Sequence, residues 1–219
     1  TPISYNSNIL LEFGATAGVN RYDYFPADNY SQYDKKDKTW LSYFTARLKM
    51  AQTTLDYNMY PSSGRHRLLE FRYILSYERH FEGTMYADGT SVAQPLKNTF
   101  LARLNMEDYY DLGRWFSLGY NLDLTVSTPL DLSDYMSTLM AMPAYQPTVH
   151  SRTLMLGAYR APIYVGLTVN PVIKFTKTVF LHLSGGYFQP YMELRETANG
   201  GYTYSDPFPR GGFVGNAAL

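Results

Sequence analysis

Cysteine is absent from the 219 residues, which removes disulfide scaffolds, thiolate metal sites and thiol nucleophiles. Charge is scarce. Asp, Glu, Lys and Arg make up 17% of the chain, against about 25% in a typical soluble domain. The 19 basic and 19 acidic residues cancel, so the basic footprint of a nucleic-acid binder is missing. No run approaches the ~18 consecutive apolar residues of a membrane-spanning helix, and the mean hydropathy of −0.30 also argues against a helical membrane protein. There is no initiating Met and no signal-peptide pattern, and residues 213–219 read as the start of a strand. The chain is therefore expected to be a segment of a longer protein. What is plentiful is aromatic: 22 Tyr, with Phe, Trp and Tyr together reaching 16%.

The periodicity is two, and helical signals are nearly missing. Between Trp115 and Ser127, Phe116, Leu118, Tyr120, Leu122, Leu124 and Val126 fall on one side. Trp115, Ser117, Gly119, Asn121, Asp123 and Thr125 fall on the other. Successive side chains of a strand point to opposite faces, so this is one apolar wall and one polar wall. The same pattern recurs from Ile9 to Asn20, Trp40 to Met50, Leu69 to Glu78, Phe100 to Glu107, Ile163 to Lys174 and Val179 to Tyr187. An eighth strand begins near Phe213. Each stretch is long, roughly 10–14 residues, where soluble strands peak near 5–6 and a tilted transmembrane strand needs about 9–11. No charge sits mid-strand on an apolar face.

Connections alternate in length. Residues 22–38, 80–97, 128–162 and 190–212 are long, residues 53–65 are shorter, and tight turns are expected at Tyr110 to Leu112 and Lys174 to Lys177. Outer-membrane barrels pair short periplasmic turns with long extracellular loops. That order predicts that 128–162 crosses the membrane either twice or not at all. A short helix is expected within 131–142, with Leu132, Tyr135, Met136 and Leu139 on one face and Asp131 or Ser133 as its cap. A soluble lipocalin-like barrel or a β-sandwich shares the alternation. Strand length, clean apolar faces and loop order favour an all-β, antiparallel up-and-down transmembrane β-barrel. Its seven or eight strands with ragged ends need further strands for closure, because lipid offers an open edge no water.

Two groups of motifs resemble a known family. Leu55-Asp56, followed by Tyr60-Pro61-Ser62-Ser63-Gly64, resembles a periplasmic turn of the BamA-type (outer-membrane insertase) barrel superfamily. Met142-Pro143-Ala144-Tyr145-Gln146-Pro147-Thr148, then Leu156-Gly157-Ala158-Tyr159-Arg160-Ala161, then Phe188-Gln189-Pro190-Tyr191, are similar to the C-terminal barrel of Bacteroidetes-type patatin-like phospholipases. The resemblance covers about residues 38–219. It implies a sixteen-stranded barrel in the outer membrane of a Gram-negative bacterium, of which this chain holds about half. It also implies that 128–162 folds into the lumen and that Arg160 matches the Arg of an Arg-Gly-aromatic lumen motif. Here Ala161 and Pro162 follow instead. Arg210-Gly211-Gly212-Phe213, a second near-match, reads as a turn.

Chemistry is sparse. Patatin-like enzymes use a Ser–Asp dyad, and Asp88-Gly89-Thr90-Ser91-Val92-Ala93 superficially offers both halves. An elbow must expose Ser at a strand-to-helix turn beside an oxyanion hole, and this segment reads instead as a hairpin turn. His66, His80, His150 and His182 show no metal-ligand spacing. No catalytic, metal or cofactor-binding residue is expected, and any hydrolase active site lies outside the chain. Gly185-Gly186, Gly200-Gly201 and Gly211-Gly212 lack the Lys-Ser/Thr of a phosphate loop. Polar-face charges, foremost Glu70, Arg72, Arg103, Glu107 and Asp123, with Glu12, Arg47, Lys49 and Lys174, line either an ion path or a plugged lumen in which they pair. The plugged lumen is favoured because 128–162 is long enough to fill it. Tyr22, Tyr24, Phe25, Tyr57, Tyr60, Tyr109, Tyr110, Tyr164, Tyr187 and Tyr191 suit interfacial belts. The cluster Tyr22, Tyr24, Phe25, Tyr30 and Tyr33 also admits a carbohydrate-binding reading.

The expected role is the non-catalytic outer-membrane anchor of a patatin-like lipid acyl hydrolase. Its partners would be outer-membrane lipid or lipopolysaccharide and an attached periplasmic domain, with no nucleic acid. A BamA-type barrel assisting insertion or secretion, and a porin or transporter, are the alternatives. The sequence leaves open whether the lumen conducts and whether the barrel forms a homodimer.

Overall fold

The alternation does build strands. The computed structural model describes residues 9–25, 31–56, 61–85, 91–93, 95–148, 157–176, 179–197 and 201–218. Tyr30, Tyr57, Tyr60, Asp88, Gly89, Thr90, His150, Leu156, Lys177 and Gly200, all singled out above, lie outside these residues, as does the side chain of Ser91. Eight strands follow one another in a single antiparallel path: β1 (Ile9–Tyr24), β2 (Asp37–Thr53), β3 (Gly64–Phe81), β5 (Lys97–Gly113), β6 (Phe116–Ser127), β7 (Ile163–Lys174), β8 (Phe180–Pro190) and β11 (Gly212–Ala218). Three short strands were not foreseen. β4 (Ser91–Ala93) adds to β3, and β9 (Leu194–Glu196) pairs β10 (Tyr202–Tyr204) as a separate hairpin. The chain is thus an all-β, up-and-down antiparallel sheet. β1 and β11 stand at the ends of the path.

β6 and β7 are direct neighbours, so 128–162 adds no strand to the path among the described residues. It carries one short helix, α1 (Tyr135–Ala141), whose cap is Asp134, not Asp131 or Ser133. The Asp134 carboxylate accepts from the Ser137 backbone N–H at 2.8 Å and from Ser137 Oγ at 2.5 Å. Of the three polar residues ahead of the helix, only Asp134 stands three positions before that N–H, the reach of an N-cap.

The expected turn at Tyr110 to Leu112 is displaced. β5 runs on through a register shift between Asp111 and Gly113, and the reversal falls on Arg114 and Trp115. Trp115 is therefore an exposed turn residue and not part of the polar wall. At the next reversal β7 runs to Lys174, and the Phe175 and Thr176 N–H groups both donate to Val179 O.

The Leu55-Asp56 motif has a local cause. Asp56 accepts from Ser62 N–H at 2.9 Å, Ser63 N–H at 3.2 Å and Ser62 Oγ at 2.7 Å, so one carboxylate gathers the returning chain. Gly64 then enters β3 at φ +96°, where a Cβ would run into the Thr54 carbonyl.

The two faces of the sheet are opposite in character, and the burial is inverted relative to a water-soluble fold. On the outer face Phe13, Val19, Phe100 and Val126 are 76%, 64%, 59% and 47% exposed, whereas Ser117, Thr125, Thr168 and Asp123 on the inner face are at most 2% exposed. The inner face is buried because the long connections lie over it. Leu130 and Leu132 pack on Leu41 of β2, and Tyr145 packs on Tyr164 and Phe188 of β7 and β8. The β9–β10 hairpin closes over α1, with Leu194 against Leu139 and Met142. Tyr202 OH donates to Leu132 O at 3.0 Å and Tyr204 OH to Asp131 Oδ1 at 2.8 Å.

Gly64→Ala is expected to lower stability by about 1–3 kcal/mol, the cost of forcing a side chain into a sparsely populated backbone region. The urea midpoint reads this out. A change within 0.3 kcal/mol of zero, on the order of measurement scatter, contradicts the strained turn.

Candidate functional site

Chemistry on this chain concentrates on the inner face. Every second residue of a strand shares a face, which puts Glu70 and Arg72 of β3, Arg103 and Glu107 of β5 and Asp123 of β6 on the same wall. Glu70 and Arg103 are direct cross-strand partners. Arg72 Nε donates to Glu70 Oε1 at 2.5 Å, and Arg103 grips both oxygens of Asp123. On the neighbouring strands Arg47 bonds Glu12, and Lys49 Nζ lies 3.8 Å from the same carboxylate. Glu107 belongs to another level of the wall, where it accepts from Tyr109 OH at 2.9 Å. Asn170 Nδ2 donates to that hydroxyl at 3.2 Å. The charges are thus held largely by one another. A buried carboxylate such as Asp123 is tolerable only because its partner is hydrogen-bonded to it.

Arg160 belongs to the loop. Its Nη1 donates to the carbonyls of Leu139 (3.4 Å), Met140 (2.9 Å) and Met142 (3.0 Å). The last carbonyls of a helix have no partner within the helix, and a cation near them is favoured by the helix dipole. Arg160 therefore closes the C-terminal end of α1. Burial holds its pKa below the usual guanidinium value. The backbone follows suit, since Ala144 and Arg160 form an antiparallel bridge.

Tyr145 seats the far end of the loop. Its hydroxyl meets Thr168 Oγ1 at 2.5 Å, its ring stacks on Phe188 at 5.6 Å between centroids, and burial pushes its pKa up to about 12. Gly166 lies directly beneath the ring, and any Cβ there would overlap it. Tyr164, in turn, donates to Ala144 O at 3.1 Å. The expectation that rings near strand ends form belts fails for Tyr22, Tyr24, Tyr109 and Tyr164. These occupy inner-face positions and pack under the loop or beside other polar-wall groups. Parity was the missed signal, since Tyr164 alternates with Ile163 and Val165.

The other aromatic clusters sit on the outer face. At one rim Arg67 pairs with Asp108 at 3.6 Å, Asp108 accepts from Tyr120 OH at 2.8 Å, and Tyr110 stacks on Tyr120. At the other rim Arg21 lies over Trp40, Trp40 meets Phe81 edge-on, and Arg79 lies over Phe81. Between the rims a groove of about 760 Å³ runs over Ala15, Ala46 and Ala102, walled by Phe13, Phe71 and Phe100. It is an apolar furrow in the outer surface.

A hydroxyl, an imidazole and two carboxylates also meet at the inner face. Thr39 Oγ1 is 2.8 Å from His80 Nδ1, and Asp134 Oδ2 is 3.6 Å from the same nitrogen. Glu78 lies beside them. A hydrolytic relay needs the nucleophile and the carboxylate on opposite ring nitrogens. Here both reach Nδ1, and Thr39 is fully buried, so the cluster is not a triad. No signal in the linear spacing of the four histidines pointed to it, because its parts come from β2, β3 and the loop.

No family model, curated protein or solved structure matches this chain.

Arg160→Ala is expected to leave the Met140 and Met142 carbonyls without their side-chain donor, Leu139 O keeping the Met142 N–H, and to cost about 1–3 kcal/mol. The expected signature is faster hydrogen exchange across 135–142 with the sheet unchanged. Gly166→Val is expected to evict the Tyr145 ring and expose 143–148 to protease. Full retention of protection in both variants contradicts the proposed seating.

Proposed function

We propose that this chain is part of the wall of an outer-membrane β-barrel whose interior is filled by its own long loop, and that it serves as a membrane anchor and not as a catalyst. The observation that carries this reading is the inversion of burial: a polar inner face under cover and a continuous apolar outer face with none of the described residues upon it. Water gives no reason to display Phe13, Phe44, Leu48, Phe71, Phe100, Leu124, Val165, Leu167 and Val169 together. An acyl-chain solvent does. Contiguous exposed apolar area far beyond a few hundred Å² is foreign to soluble monomers.

The dimensions agree. Arg67 and Arg79 bracket an uncharged outward stretch of β3 and stand twelve positions apart. At about 3.3 Å per residue and a tilt near 45°, that separates the two rims by roughly 28 Å, close to the ~25 Å apolar band of an outer-membrane barrel. Rims of Tyr, Trp and Arg at both edges of the band match headgroup depth. The open edges of β1 and β11 cannot stay unpaired in hydrocarbon, so the reading includes further strands that close the wall.

The filled interior favours an anchor over a porin. The wall charges are paired, and the loop packs on the same face at Leu41, Tyr164 and Phe188. Attachment to a patatin-like lipid acyl hydrolase is supported by the Met142-to-Thr148, Leu156-to-Ala161 and Phe188-to-Tyr191 resemblance alone. In that arrangement the lipid substrate would be met by a separate domain, held at the membrane by this one.

Leu167→Arg separates the readings. Leu167 is mid-strand on β7 and faces outward. In lipid the change is expected to cost about 2–4 kcal/mol and to abolish the heat-modifiable band of the full polypeptide in outer-membrane fractions. On a solvated sheet surface the same change costs within about 0.5 kcal/mol. A folded, water-soluble Leu167→Arg protein sinks the membrane reading. Acyl-ester hydrolysis by the full polypeptide tests the attached enzyme: none is expected from the barrel alone, and none from the whole protein would remove the hydrolase.

A further inference from the structure

Glu78 and His80 are alternate residues of β3 and so share the inner face. Thr39 is the direct cross-strand partner of His80 on β2. Asp134, the cap of α1, is brought against them from the loop. One ligand atom from each of Glu78, His80 and Asp134 lies within 4.8 Å of the other two, and all three residues are buried. Exposure is 1% for Glu78, 4% for His80 and 6% for Asp134.

The charge there does not balance. Glu78 Oε1 accepts from the Ser133 N–H at 2.9 Å, but Oε2 is buried with no hydrogen-bond partner among the described residues. Lys97 Nζ makes a long ion pair with Oε2 at 3.9 Å, too far for a hydrogen bond. Asp37, a third carboxylate, faces the cluster while accepting from Gly83 N–H at 2.7 Å. The Tyr24 hydroxyl is buried beside Asp134 and Thr39. A carboxylate oxygen fully withdrawn from water and left without a donor is costly. A cation at the point where Glu78, His80 and Asp134 converge removes that cost.

We propose that Glu78, His80 and Asp134 bind one divalent cation of the zinc class, which clips the 128–162 loop to the β2–β3 wall. The donor set selects the class. One imidazole nitrogen with two carboxylates suits zinc, whereas calcium and magnesium take oxygen shells. The scale fits as well. With zinc–ligand distances of about 2.0–2.2 Å, the edges of a tetrahedral shell are roughly 3.3–3.6 Å. The 3.6 Å between His80 Nδ1 and Asp134 Oδ2 is already such an edge. Thr39 Oγ1, at 2.8 Å from Nδ1 and 3.3 Å from Oδ2, sits inside that edge length at Nδ1 and would give up its hydrogen bond there when the ion binds. Asp134 would then hold the helix through Oδ1 and the Ser137 N–H, while Oδ2, which also accepts from Ser137 Oγ, would turn its remaining lone pair to the ion. The inference rests on β2, β3 and the loop, and it stands whether or not the barrel closes or carries an enzyme.

The test is zinc binding to the full polypeptide purified in detergent, read by competition with a chromophoric chelator. One equivalent of Zn²⁺ is expected, undisturbed by excess Mg²⁺ or Ca²⁺. Glu78→Gln, His80→Gln and Asp134→Asn keep hydrogen-bonding capacity, and Asn still caps a helix. Each is expected to weaken binding by about 100-fold or more, beyond the 10–100-fold typical of outer-shell changes. His66→Gln, at the other end of β3, leaves it unchanged. Zinc is also expected to slow proteolysis within 128–162 in the native chain and not in Glu78→Gln. Retention of the heat-modifiable band shows that each variant folds. If Asp134→Asn fails to fold, Glu78→Gln alone decides. Binding below one equivalent, binding unaffected by Glu78→Gln, or displacement by Ca²⁺ overturns the proposal.

Discussion

A sheet whose apolar side chains have no covering layer among the described residues is the constraint that the rest of this structure answers. In an ordinary two-layer fold the hydrophobic face turns inward and the polar face meets water. Here the ladder from β1 to β11 is arranged the other way round. Among the described residues, everything placed over the sheet is placed on its polar side. The long connections, α1 and the β9–β10 hairpin gather there, and together they sequester the Thr, Ser, Asn and carboxylate groups of the wall. Those groups tolerate burial because they are paired along and across the strands, as Glu70 with Arg72 and Arg103 with Asp123.

The covering segment is itself held at defined points, and each point uses a different interaction. Asp134 ties the start of α1 to the wall through Thr39. Arg160 ties the end of α1 to the return of the loop through three carbonyls. Tyr145 sits over Gly166, where the missing side chain makes room for a flat ring. None of these contacts is strong alone. A hydrogen bond contributes about 0.5–1.5 kcal/mol net. Together they fix a seven-residue helix, which is too short to persist in isolation.

Much of the sheet was legible from the sequence because a period of two is a local signal. The outward sets Ile9-to-Val19, Phe100-to-Met106 and Ile163-to-Val169 could be written down before any contact was known, and so could the polar-wall charges. The failures are equally physical. Asp111 looks like a turn residue, yet the strand absorbs it through a register shift and turns only at Arg114 and Trp115. Tyr109 and Tyr164 look like interfacial rings because composition cannot say which side of a strand end a ring takes, although their parity can. The grouping of Thr39, Glu78, His80 and Asp134 was out of reach of spacing rules. It depends on strand register and on where the loop comes to rest, both set by tertiary structure.

The tie between Thr39 and Asp134 joins residues 95 positions apart, and that separation orders events in time. Closing so large a loop carries an entropic cost that only previously formed structure offsets. The β2–β3 hairpin must exist before Asp134 has anything to meet, and β7 and β8 must pair before Tyr145 finds Gly166. The wall therefore forms ahead of its filling. A newly assembled sheet passes through a stage in which its polar face is wet and its charges exchange with solvent ions, until the last-docking segment covers them.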